Sequence, residues 1–158
     1  MSSSVIIFVL LLWGAACAIR DAQNKCIDNW LTYPLALLAL LHLAITGYTP
    51  CNANVIEAIA SVLLVLLFTL PGYYRSMIGA GDIKMLLALA LATAVTPILV
   101  TFSVAALALL CWRYCGPLVW PYLPEKIKGA FSLPNYEQKT IAYAPYLFTG
   151  MLIALTTM

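Results

Sequence analysis

Six apolar stretches separated by short polar breaks dictate what this chain can become: residues 5–19, 30–46, 55–70, 83–95, 98–112 and 141–157. A helix needs about 20 apolar residues to cross the hydrocarbon of a bilayer, and most of these stretches approach that length once their flanking residues are counted. A water-soluble alternative fails on composition. Hydrophobic residues make up 64% of the chain and charged residues 9%, where a soluble domain carries about 25% charge. No soluble core hides that much apolar surface. The chain reads as an all-α membrane protein of six transmembrane helices, one domain over residues 1–158, solvated by a lipid bilayer.

The breaks have their own chemistry. The first stretch has the small residues Ala15, Ala16 and Ala18 of a signal peptide, but Arg20 follows the apolar run instead of preceding it, so a retained helix is expected. Residues 20–29 form a polar link, with Trp30 and Tyr33 placed as interfacial anchors after it. Residues 47–54 turn the chain without a cation. Pro71-Gly72 is expected to end the third helix at Leu70, leaving Tyr73, Tyr74 and Arg75 at a water boundary, and Thr96-Pro97 reads as a tight turn. Residues 113–140 hold Pro117, Pro121, Pro124 and Pro134 among aromatics and lysines, the composition of a segment lying on the membrane surface. Pro145 falls inside the last run, where neighbouring helices can accommodate it.

Charge orients the bundle. All eight basic residues (Arg20, Lys25, Arg75, Lys84, Arg113, Lys126, Lys128 and Lys139) fall on the side of the links 20–29, 71–82 and 113–140. The positive-inside rule makes that side cytoplasmic and puts both termini outside. A net charge of +2 without a basic stripe gives no reason to expect nucleic acid as a partner. The five cysteines form no disulfide framework. Cys111 and Cys115 are four apart, but no histidine or second pair completes a metal site, so small apolar residues at a helix end is the plainer reading. His42, the single histidine, reads as a satisfied interior residue. No metal and no cofactor are expected.

Chemistry concentrates in Gly79-Ala80-Gly81-Asp82-Ile83-Lys84, a glycine-bearing joint at the start of an apolar helix. Asp82 has two readings there. It caps the helix by accepting free N–H groups of the first turn, or it is a reactive carboxylate beside glycines that let a substrate backbone approach. Asp21, at the end of the first helix, arrives by topology at the same cytoplasmic face, with Asp28 a third acid nearby. Two carboxylates at one interface can divide the roles of general base and general acid that peptide hydrolysis requires. Helix polarity assigns them: the N-terminal position of Asp82 favours the ionised base, and the C-terminal position of Asp21 favours the protonated partner.

The segment 79–86 resembles the GxGD-x-K motif of type IV prepilin peptidases, and Asp21 with Ile27-Asp28-Asn29-Trp30-Leu31-Thr32 resembles that family's first-aspartate segment, D-x5-I-P-N-x-L-T. Residues 141–147 are similar to its last-helix pattern, so the resemblance covers nearly the whole chain. It implies a membrane aspartic endopeptidase of the bacterial inner membrane, with prepilin or pseudopilin leader peptides as partners. Asp21 and Asp82 would be catalytic, and Gly79, Gly81 and Lys84 would shape the site. Lys84, two residues from Asp82, does not share its helix face, and snorkelling to the interface is its plainer role. Asp28 stands where the family usually has proline. The N-terminal segment with paired CxxC motifs of members that also N-methylate the pilin is not found here. That implies a short, peptidase-only form of the kind associated with tight-adherence or conjugative pili. Two rivals remain. Presenilin-like proteases share GxGD but carry a Tyr-Asp pair and a Pro-Ala-Leu motif, whereas Asp21 follows Arg20 here. A non-enzymatic subunit of a pilus or secretion assembly would instead use its acids to pair with basic residues.

Overall fold

The computed structural model describes residues 3–24, 26–75, 78–119 and 143–157. These form six helices: α1 (Ser3–Asn24), α2 (Asn29–Thr46), α3 (Val55–Tyr74), α4 (Ala80–Ala92), α5 (Val95–Val119) and α6 (Ala144–Thr156). Four of them, α1, α2, α3 and α5, are long and apolar enough to cross a membrane. Their outward faces carry Phe8, Leu12, Ile45, Ile56 and Leu67, all largely exposed. Apolar surface on that scale, all round the bundle, belongs against lipid.

The six expected helices are present, and α4 is shorter than the four long ones. That helix has 13 residues, a length of ~20 Å against the ~30 Å of a bilayer core. Its apolar run reflects burial among helices: Met85, Leu86, Ala88, Leu89, Ala90 and Ala92 are each almost inaccessible. Beyond its first turn, apolar residues on nearly every face suit a helix enclosed by other helices. The described part of α6 is equally short, at 13 residues. Each short helix packs against two long ones, α4 against α2 and α3, and α6 against α1 and α5, while α5 also touches α3 and α4. Two groups of three helices therefore meet along α5.

Small residues permit the close approaches. At Gly150 of α6 an added Cβ would run into the backbone of Thr101 on α5, with the Thr101 Cα only 2.9 Å away. At Gly14 of α1 it would meet the flexible Met151 side chain instead, with Sδ at 2.7 Å. The end remote from Asp82 is closed by residues 47–54. Gly47 ends α2 in the left-handed conformation, φ 73°, and Asn54 caps α3 by accepting the Glu57 N–H at 2.8 Å. Between them the Cys51 N–H reaches the Ala92 carbonyl at 3.1 Å, so this loop covers the C-terminus of α4. α4 therefore carries the chain from one end of the bundle to the other.

Several boundaries differ from the sequence reading, each for a local reason. α1 runs through Arg20 and Asp21 to Asn24, because polar residues of this kind continue a helix that packing against α6 already supports. α3 passes through Pro71-Gly72 to Tyr74. A proline costs that helix one hydrogen bond and does not end it. Pro97 lies in the first turn of α5, where its missing N–H is no loss, so Thr96-Pro97 is no tight turn and α5 begins at Val95. Pro145 likewise sits in the first turn of α6 and not in its interior. Residues 113–119 continue α5, and the rest of the expected surface segment lies outside the described residues, as do Ile141 and Ala142.

Candidate active site

Asp21 and Asp82 are both buried, each 5% exposed, although their helices belong to different groups of the bundle. Asp21 faces the start of α6, and its Oδ2 accepts the Ala144 N–H at 3.0 Å. Ala144 opens α6, so its N–H has no carbonyl partner within that helix. Asp82 is the third residue of α4, and its Oδ2 accepts the Gly79 N–H at 3.2 Å. That is half of a capping box, the half available when the N-cap is a glycine with no side chain to reciprocate.

The two readings of Asp82 are therefore compatible. One carboxyl oxygen caps the helix, while Oδ1 is buried with no hydrogen-bond partner among the described residues. Burial first, and the negative charge of Asp21 second, push the Asp82 carboxyl from 3.8 up to about 7, against the opposing pull of the Gly79 N–H. The Asp21 charge thus adds to the effect of burial on the Asp82 carboxyl. The charge of Asp82 also reaches the phenol of Tyr143, the residue that precedes α6.

The glycines shape this corner. A Cβ on Gly79 would stand 3.2 Å from Asp82 Oδ2, and a Cβ on Gly81 would meet Ile27 at 3.1 Å from its Cβ and 3.3 Å from its backbone nitrogen. The α1–α2 link thus lies directly on the first turn of α4. Lys84 turns away from the acids. Its Nζ donates to Asn29 Oδ1 at 2.7 Å and sits 5.3 Å from the centre of the Tyr33 ring, so it ties α4 to the start of α2. Asp28 is separate from the buried pair. It is paired with Arg20 at 3.6 Å, both side chains being 55% exposed.

Reading side chains along the sequence missed the contribution of Ala144, because a backbone N–H leaves no mark in residue type. Pro145 was the available signal: proline in a first turn announces a helix N-terminus with free donors just before it. His42 is exposed, not interior, with Nδ1 3.0 Å from the Tyr48 carbonyl oxygen at the far end of α2. Cys17 is buried one turn before Asp21, while Cys26, Cys111 and Cys115 are exposed. Among the described residues no three His, Cys, Asp or Glu side chains gather as a metal ion would require.

A helical membrane protein that buries two carboxyls, one on α1 and one on α4, is compatible with a membrane aspartic hydrolase. A match over residues 8–113 carries this further: the chain belongs to the type IV leader peptidase family and is an aspartic prepilin peptidase by that membership. Asp21 and Asp82 both fall within the matched region, and α6 falls beyond it. No curated protein and no solved structure matches the chain.

Proposed function

We propose that Asp21 and Asp82 are the catalytic pair of an endopeptidase that removes the basic leader from type IV pilin-like precursors at the cytoplasmic membrane face. The carrying observation is the burial of both carboxyls, each 5% exposed, with the Asp21 charge reaching Asp82 and Asp82 Oδ1 without a partner among the described residues. In the reaction, one carboxylate takes a proton from water while the water oxygen bonds to the scissile carbonyl carbon. The partner acid gives its proton to the carbonyl oxygen. Collapse of the adduct then breaks the C–N bond as the leaving nitrogen accepts a proton. Gly79, Gly81 and Lys84 hold the frame: the glycines admit the Asp82 carboxylate and Ile27, and Lys84 anchors α2.

The cytoplasmic assignment, with both termini outside, is supported by the sequence positions of the eight basic residues, all in or beside the stretches 20–29, 71–82 and 113–140. The same reading includes no methyl transfer, since none of the five cysteines forms a CxxC pair. The test is cleavage of a leader-bearing pilin by the purified protein in liposomes. Asp21→Asn and Asp82→Asn should each abolish cleavage while still inserting, and Asp28→Asn should cleave at close to the parent rate. Activity surviving in either of the first two removes that residue from the pair. Mass spectrometry of the product should find an unmethylated N-terminus, and a reporter after Gly129 should be cytoplasmic.

A further inference from the structure

Asp21 and Asp82 receive unequal support from the backbone around them. Asp21 lies in the last turn of α1, where helix polarity opposes a negative charge. The Ala144 N–H, 3.0 Å from Asp21 Oδ2, brings the N-terminus of α6 against that same carboxyl and reverses the balance. Asp82 has the Gly79 N–H at 3.2 Å on Oδ2, but its Oδ1 is buried without a donor among the described residues. A buried ionised oxygen lacking a donor is costly, and protonation of that oxygen removes the charge.

Among the described residues, the cations that flank the two aspartates are engaged with other partners. Arg20, next to Asp21 in α1, is turned to Asp28 at 3.6 Å. Lys84, on α4, is engaged with Asn29 at 2.7 Å and with Tyr33. Cys17 lies one turn before Asp21 on α1, and Tyr143 and Tyr146 flank the start of α6. These are neutral groups at working pH.

We propose that the first turn of α6 is a third component of the site: the Ala144 N–H positions Asp21 as the resident carboxylate base, and the proton of the pair rests on Asp82 Oδ1. This inverts the assignment drawn from helix polarity alone, which considered only the helix each aspartate belongs to. It rests on the catalytic reading of the pair. Asp21 then accepts the proton of the attacking water, and Asp82 supplies its own proton to the carbonyl oxygen.

The first arm of the test needs no substrate. Infrared difference spectra of the full chain in liposomes at neutral pH should contain a protonated-carboxyl band that disappears in Asp82→Asn and persists in Asp21→Asn. The reverse pattern overturns the proposal, even in a chain that cleaves nothing, so its failure is distinct from failure of the functional reading. In the second arm, Ala144 is replaced by lactic acid, which keeps the methyl group and exchanges the amide N–H for an ester oxygen. Loss of a hydrogen bond to a charged group should move the acidic limb of the cleavage pH profile upward by about one pH unit. Ala144→Gly, which retains the N–H, should leave that limb in place. An unmoved limb in the ester variant refutes the role of Ala144.

Discussion

Gly150→Ala tests whether the close packing of α5 on α6 holds the site together. The new Cβ would lie 2.9 Å from Thr101 Cα and 3.0 Å from its carbonyl carbon, with the carbonyl oxygen nearer still. Ordinary carbon contacts fall at about 3.5–4.0 Å, so the two helices must part by roughly 1 Å at this crossing. Because the obstacle is backbone, no rotamer change relieves it. The cost belongs near the top of the ~1–3 kcal/mol range for overpacking. The displacement also reaches Ala144, six residues or ~9 Å along α6, and pulls its N–H away from Asp21. Misplacement by about 1 Å can cost up to ~100-fold in rate. Gly14→Ala is the control, since its Cβ would meet Met151 Sδ at 2.7 Å, the far end of a side chain able to swing aside. Thermal unfolding in detergent and leader cleavage in liposomes should both rank Gly150→Ala well below Gly14→Ala. Equal behaviour of the two variants would refute the claim that backbone contact at Thr101 sets the position of α6.

The number and order of the helices were legible because apolar runs and their breaks follow directly from what lipid demands of a backbone. Depth within the bundle was not. Residues 83–95 are as apolar as the spans, and hydrophobicity does not distinguish a helix that meets lipid from one enclosed by other helices, as α4 is. Polar residues at 20–24 and the Pro71-Gly72 pair looked like stops, yet α1 and α3 run through them because tertiary packing outweighs local propensity. Lys84 was placed off the Asp82 face by helical spacing alone, but its partners Asn29 and Tyr33 come from another helix. The Ala144 N–H left no trace beyond the proline after it. What remained hidden at the site was contact between elements, and the unequal environments of the two aspartates depend on that contact.

Lys84→Met, which keeps the apolar stem but loses the contacts to Asn29 and Tyr33, should slow cleavage by less than ~10-fold, about 1.4 kcal/mol; inactivity as complete as that of Asp82→Asn would place Lys84 among the reacting groups. Gly81→Ala gains up to about 1 kcal/mol of helix propensity but pushes on Ile27, only 3.1 Å from the new Cβ, so unfolding should change little while kcat/KM falls; unchanged kcat/KM would show that the link tolerates the shift. The last expectation is a pH dependence of stability, and its sign is fixed by Asp82. The carboxyl is raised from 3.8 to about 7 in the folded chain, so between those values the folded state holds a proton that the unfolded state has released. Stability then decreases as pH rises, because the slope follows the excess of protons bound by the unfolded state and that excess is negative here. The contribution of Asp82 is full below about pH 4 and lost above about pH 7, a total of a few kcal/mol, roughly 1.4 per unit. The informative quantity is the difference between the parent and Asp82→Asn, which cannot titrate at this position. Unfolding in detergent from pH 4 to pH 8 should show the parent losing stability relative to Asp82→Asn across the window. If the difference is flat or rises with pH, Asp82 is ionised in the folded chain throughout, and a buried Oδ1 without a donor has found one in solution.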